Sequence, residues 1–158
     1  MRRLREGSRS AEGGLWGNAR SRPILLATLG VPFDGVAVTF AVDTAVESGQ
    51  ALFVANVTTL EPLPLSVRWG YDALEEFTPR VSESVRAPAE LARSLGVPVE
   101  RLRVRSPRPV EALIELVEEL VPGILVFGPD QRELPVRRYR RAARAVRSRA
   151  TCLVWLPE

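Results

Sequence analysis

Five short strand-length runs, four of them apolar and one alternating, separated by segments whose apolar residues recur at helical spacing, constrain the fold of this chain more than any other feature. The runs are ILLATLG (24–30), ALFVANVTT (51–59), VERLRVRS (99–106), ILVFG (124–128) and CLVWL (152–156). Each has strand length, and several are rich in β-branched and aromatic residues. After the first run Asp34 is placed as an N-cap, Val38, Val42, Ala45 and Val46 share one helical face, and Gly49 is placed to end the helix. A loop is predicted at 61–70, then a long helical region over 71–95 disturbed by Pro88 and closed by Gly96. Val110, Leu113, Ile114, Val117 and Leu120 mark a helix over 109–121 stopped by Pro122 and Gly123, and a last helix is predicted over 135–147. Such alternation predicts an α/β protein with a parallel sheet, helices on both faces and right-handed crossovers. The run at 99–106 alternates Arg101, Arg103 and Arg105 with Leu102 and Val104, so only one face is apolar and an edge position is expected.

A chain of 158 residues fits one domain. Residues 1–22 are rich in Arg, Gly and Ser without apolar periodicity and are expected to form a flexible tail, leaving 23–158 as the domain. The longest apolar stretches are broken by Gly30, Pro32 and Asp43, too early for a membrane span, so a soluble protein is expected.

Histidine and lysine are absent, and all 22 basic side chains are arginine. Without them the chain cannot build a Ser-His-Asp triad, a histidine metal site, a Walker lysine or a Schiff base, and no enzymatic activity is expected. The single Cys152 excludes an intramolecular disulfide, fits a cytoplasmic location, and lies in an apolar run where an inert thiol is expected. Paired acids such as Glu118 and Glu119 point about 100° apart on a helix and do not converge on a substrate. The net charge of +3 is uneven: 130–149 carries eight arginines against Asp130 and Glu133.

VPVERLRVRSPRPVEALIELVEELVPGILVFGPD resembles the strand, helix, strand and glycine loop of the universal stress protein family. PILLATLG is similar to that family's opening strand, ANVTTL to the end of its second, and ATCLVWLP to its last, so the resemblance covers residues 22–157. It implies a Rossmann-like fold of the adenine nucleotide alpha hydrolase type, with a five-stranded parallel sheet of order 3-2-1-4-5. The crevice then lies at the reversal point between the first and fourth strands. It also implies dimerisation through the last strand, residues 151–156, between Thr151 and Leu156.

Members of the family that bind ATP carry Gly-x-x-Gly, nine further residues, then Gly followed by Ser or Thr, and commonly an aspartate ending strand 1. Glycines admit the phosphates close to the backbone, and a helix N-terminus favours the negative charge. Here Gly128 matches the first glycine, Gln131 stands at the second, and Arg140, Arg141 and Ala142 span the third position and its hydroxyl. Leu29 replaces the aspartate, before Gly30. These departures imply a degenerate pocket, without ATP bound in the family's manner, in a protein that acts in stress response through dimerisation. If a nucleotide or other phosphate compound is bound, the resemblance points to Gly30, Val57, Gly128 and Gln131, with Arg132, Arg140 and Arg141 as guanidinium substitutes for the glycine cradle. The arginines of the last helix also suit a solvated outer face, and attachment to nucleic acid lacks the exposed aromatics that usually accompany it.

Overall fold

The computed structural model describes residues 2–5, 22–60 and 79–157. Its elements are β1 (Arg2–Arg5), β2 (Ile24–Thr28), α1 (Gly35–Ser48), β3 (Leu52–Thr59), α2 (Pro79–Ser94), β4 (Val99–Ser106), α3 (Pro109–Leu120), β5 (Ile124–Phe127), α4 (Val136–Arg149) and β6 (Leu153–Trp155). The sheet runs β1-β4-β3-β2-β5-β6. Within it β4, β3, β2, β5 and β6 are mutually parallel, which is the order 3-2-1-4-5 counted from β2.

The two faces divide along the two-residue period of the strands. Leu25, Ala27, Leu29, Phe53, Ala55 and Val57 pack with Leu113, Ile114 and Val117 of α3 and Ala142 and Val146 of α4. Ile24, Leu26, Leu52 and Val54 pack with Ala41 and Val42 of α1 and Val85 and Ala89 of α2. All five residues of β2 are buried, as a central strand covered on both faces requires.

The cap signals at α1 hold: Asp34 accepts hydrogen bonds from the Val36 and Ala37 amides at 2.9 and 3.1 Å, and Gly49 is left-handed with φ 65°. Helix α2 begins at Pro79; the loop predicted at 61–70 and the first part of the helix predicted from 71 lie outside the described residues. Pro88 is accommodated inside α2. Helix α3 stops one residue earlier than its Pro-Gly signal, at Val121, which takes φ 47°. The following Pro122 disfavours helical geometry for Val121, and the left-handed turn lets its amide close on the Val117 carbonyl at 3.0 Å.

Two expectations are corrected at the N-terminal side of the sheet. Arg2–Arg5, placed in the flexible tail, forms a strand antiparallel to β4, with Arg2 opposite Arg105 and Leu4 opposite Arg103. Strand β4 is therefore not an edge. Its outward N–H and C=O groups would otherwise lack partners, and four extended residues can satisfy them without any apolar pattern of their own. No helix among the described residues is long and apolar enough to cross a membrane.

Candidate functional site

Strands β2 and β5 are neighbours, and the connections leaving them run to opposite faces of the sheet. Their C-terminal ends thus define the crevice where doubly wound proteins bind ligands. Two loops meet there, 29–34 after β2 and 128–135 after β5. The Asp34 amide donates to the Gly128 carbonyl and the Asp130 amide to the Pro32 carbonyl, both at 2.9 Å, with Phe33 and Pro129 bridged in antiparallel fashion. Backbone joins backbone directly over the reversal point.

The second loop is folded around Asp130. Its carboxylate accepts from the Arg132 amide at 3.0 Å, and its carbonyl accepts from the Glu133 and Leu134 amides at 3.1 Å. Buried Leu134 anchors the far end. Four amides of this loop, those of residues 130, 132, 133 and 134, therefore already have acceptors within the protein. An aspartate following a proline is a common start for such a turn, because its side chain reaches the amide two residues on. The Pro-Asp pair in PDQRE is the sequence signal of this turn.

Gly128 is buried between the end of β5 and the first turn of α1. A Cβ placed on it would lie 2.1 Å from the Cβ of Ala37, so the close packing of α1 on the end of β5 requires glycine here. Gly30 is exposed and left-handed, φ 70°, and its amide donates to Asn56 Oδ1 at 2.8 Å. Gln131 and Arg132 are exposed on the outer side of the turn. Gln131 pays no left-handed penalty, since Val121 is the only non-glycine residue with positive φ among those described.

Val57 lies fully buried in the core against the α3 and α4 side, while Asn56, one residue earlier, is buried on the opposite face of the strand, toward α2. Asn56 also donates to Ser84 Oγ at 3.1 Å, tying β3 to α2. A lone amide in an otherwise apolar strand was the available signal for it. Leu29, at the position resembling the family's aspartate, is buried among core residues and offers no acceptor.

The arginines separate. Arg138, in the first turn of α4, donates to Thr59 Oγ1 at 3.0 Å, reaching past the end of β2 to the end of β3. Arg140 lies on another flank, lining a groove with Tyr139, Arg144, Arg147, Leu156 and Pro157. Arg141 is exposed, about 100° further round the helix. The structure thus gathers Gly30, Gly128, Gln131 and Arg132 around the crevice and leaves Val57 and Arg140 elsewhere. Tyr139, stacked on Phe127 with centroids 6.1 Å apart, has its phenol pushed up mainly by burial. Burial likewise raises the Cys152 thiol, so it stays protonated at neutral pH and is a poor nucleophile.

A parallel sheet wound on both faces, with its loops meeting over a switch-point crevice, defines the class as a Rossmann-like α/β fold. The family model of the universal stress proteins matches residues 20–156, and the chain belongs to that family. Its fold is similar to that of a universal stress protein from Archaeoglobus fulgidus in complex with dAMP, at 19% identity and TM-score 0.60, covering 87% of this chain and 98% of that one. A universal stress protein in complex with cAMP matches at 20% identity and TM-score 0.61, over the same shares of 87% and 98%. A family member from Burkholderia pseudomallei matches at 17% identity and TM-score 0.56, covering 89% of this chain and 98% of that one. No curated protein sequence matches significantly.

Proposed function

We propose that this protein is a non-enzymatic, cytoplasmic universal stress protein that works in stress response through association of two copies, with a crevice closed to nucleotides in the family's usual manner. The observation that carries the closed crevice is the loop after β5. Its amides are committed to Pro32 and Asp130. A phosphate entering there would have to break several backbone hydrogen bonds, each costing roughly 1 kcal/mol net and more if left unpaired.

Association through β6 is supported by the sheet itself. With β4 covered by β1, β6 is the parallel edge, and its outer backbone groups have no strand partner among the described residues. Leu153 is 74% exposed on it. An apolar open edge of this kind is a template for pairing with another chain. The wild-type chain is expected to sediment as a dimer at micromolar concentration and Leu153→Asp as a monomer. A monomeric wild type contradicts the association.

A second reading keeps nucleotide binding, favoured by the relatives solved with dAMP and cAMP and by Arg138 at the crevice mouth. Calorimetric titration with AMP separates the two. No saturation up to about 1 mM, a binding energy near 4 kcal/mol, is expected on the closed-crevice reading. Micromolar binding that is lost in Arg138→Ala would establish the second.

A further inference from the structure

Outside the crevice, α4 borders a second concavity. It has a volume of about 680 Å³, is open to solvent, and lies between the helix and the segment that follows β6. Its lining includes Arg140, Arg144, Arg147 and Ser148 from α4 and Leu156 and Pro157 from the chain beyond β6. Among the described residues no carboxylate lines it.

Arg140, Arg144 and Arg147 follow a spacing of four and three residues, which places them within an arc of about 60° along roughly 10 Å of helix. None has an ion-pair partner among the described residues, whereas Arg149 of the same helix is held by Glu111. Arg147 sits in the last turn, where a cation favours the helix dipole. That reason does not extend to Arg140 in the first half of α4 or to its alignment with Arg144. Three guanidiniums lining one concavity of small-ligand size make a positive site with no carboxylate partner among the described residues.

The floor is of another character. Ala143, Leu156 and Pro157 are apolar, and the Tyr139 ring closes one side, its hydroxyl turned to the Pro157 carbonyl at 3.5 Å. Burial pushes that phenol further above its ordinary value, so it is a neutral donor at neutral pH.

We propose that this groove is an anion site for a small compound carrying two or more phosphoryl groups, held by Arg140, Arg144 and Arg147. Each phosphoryl group brings about −1.5 to −2 charge at neutral pH, so two of them match three guanidiniums. Guanidinium forks also pair with phosphate oxygens two at a time. The ligand is either inorganic polyphosphate or a phosphate ester whose organic part lies on the apolar floor.

The test is calorimetric titration of the full chain with inorganic tripolyphosphate, repeated on Arg144→Ala, Arg147→Ala and Arg138→Ala. All three side chains are exposed, so the fold should survive, and circular dichroism checks that it does. One saturable site per chain is expected, weakened about tenfold or more in Arg144→Ala and Arg147→Ala and unchanged in Arg138→Ala. Absence of saturation overturns the proposal, as does equal binding in the Arg144→Ala and Arg147→Ala variants or equal binding of a hexaglutamate peptide. Tighter binding of a nucleoside triphosphate than of tripolyphosphate assigns the ester, and equal binding the inorganic anion. Loss in Arg138→Ala alone would instead place the anion in the crevice and contradict both this site and the closed-crevice reading.

Discussion

A methyl group at Gly128 would overlap the Cβ of Ala37, 2.1 Å away, so the one family glycine that this sequence keeps has a packing reason to be there. Gly128→Ala is expected to destabilise the fold by about 1–3 kcal/mol, the cost of overpacking a close contact. Ala37→Gly should suppress much of that loss by vacating the space, after its own cost of about 1 kcal/mol within a helix. Urea unfolding of both single variants and the double variant measures the coupling. Purely additive effects would show that Gly128 is not pinned by α1. The sequence showed which residue type stands at this position but not why, because Ala37 lies far from it along the chain and meets it only after the crossover has folded. The same limit hid Arg138. On a helix crowded with arginines nothing local tells which one reaches Thr59, and the sequence favoured Arg140 and Arg141.

Among the elements, α3 and α4 are joined across their exposed sides by Arg149, whose Nη1 donates to Glu111 Oε1 and Oε2 at 2.6 and 2.7 Å. That hydrogen bond, partly opposed by desolvation, holds the Glu111 carboxyl below its ordinary value. A carboxyl lowered in the folded state stabilises above its unfolded pKa, and the contribution is lost as pH falls through the folded value. Glu111→Gln should therefore melt slightly below the wild type at neutral pH, with the difference closing in acid below the usual carboxylate range. Thermal melts over a pH series check this, and a gap that persists undiminished into acid contradicts it. The parallel strands and all four helices, α2 over its described part, were legible from periodicity and caps, since Asp34, Gly49 and the α3 stripe act through neighbours three or four residues away. Strand β1 was not, because it is recruited by the open edge of β4 and not by any pattern in RRLR.

For the molecule as a whole, the winding of the chain sets the crevice where a ligand would be expected, and the loops then decide whether it is open. The order of the strands follows from alternating elements and right-handed crossovers, so it could be read in advance. The stitching of 32–34 to 128–130 could not, because it depends on two loops from opposite ends of the domain meeting. The resemblance implied that Gln131 stands where the family has a glycine, and in the structure the loop around it turns its amides onto Asp130. The most direct test is a site-resolved one, which a ligand held elsewhere on the surface cannot confuse. Amide resonances of Gly128, Asp130, Arg132, Glu133 and Leu134 should keep their positions and their slow hydrogen exchange when ATP is added to millimolar concentration. Displacement of those resonances together with altered exchange at Asp130 and Leu134 would mean that the triphosphate enters the crevice, contradicting the account.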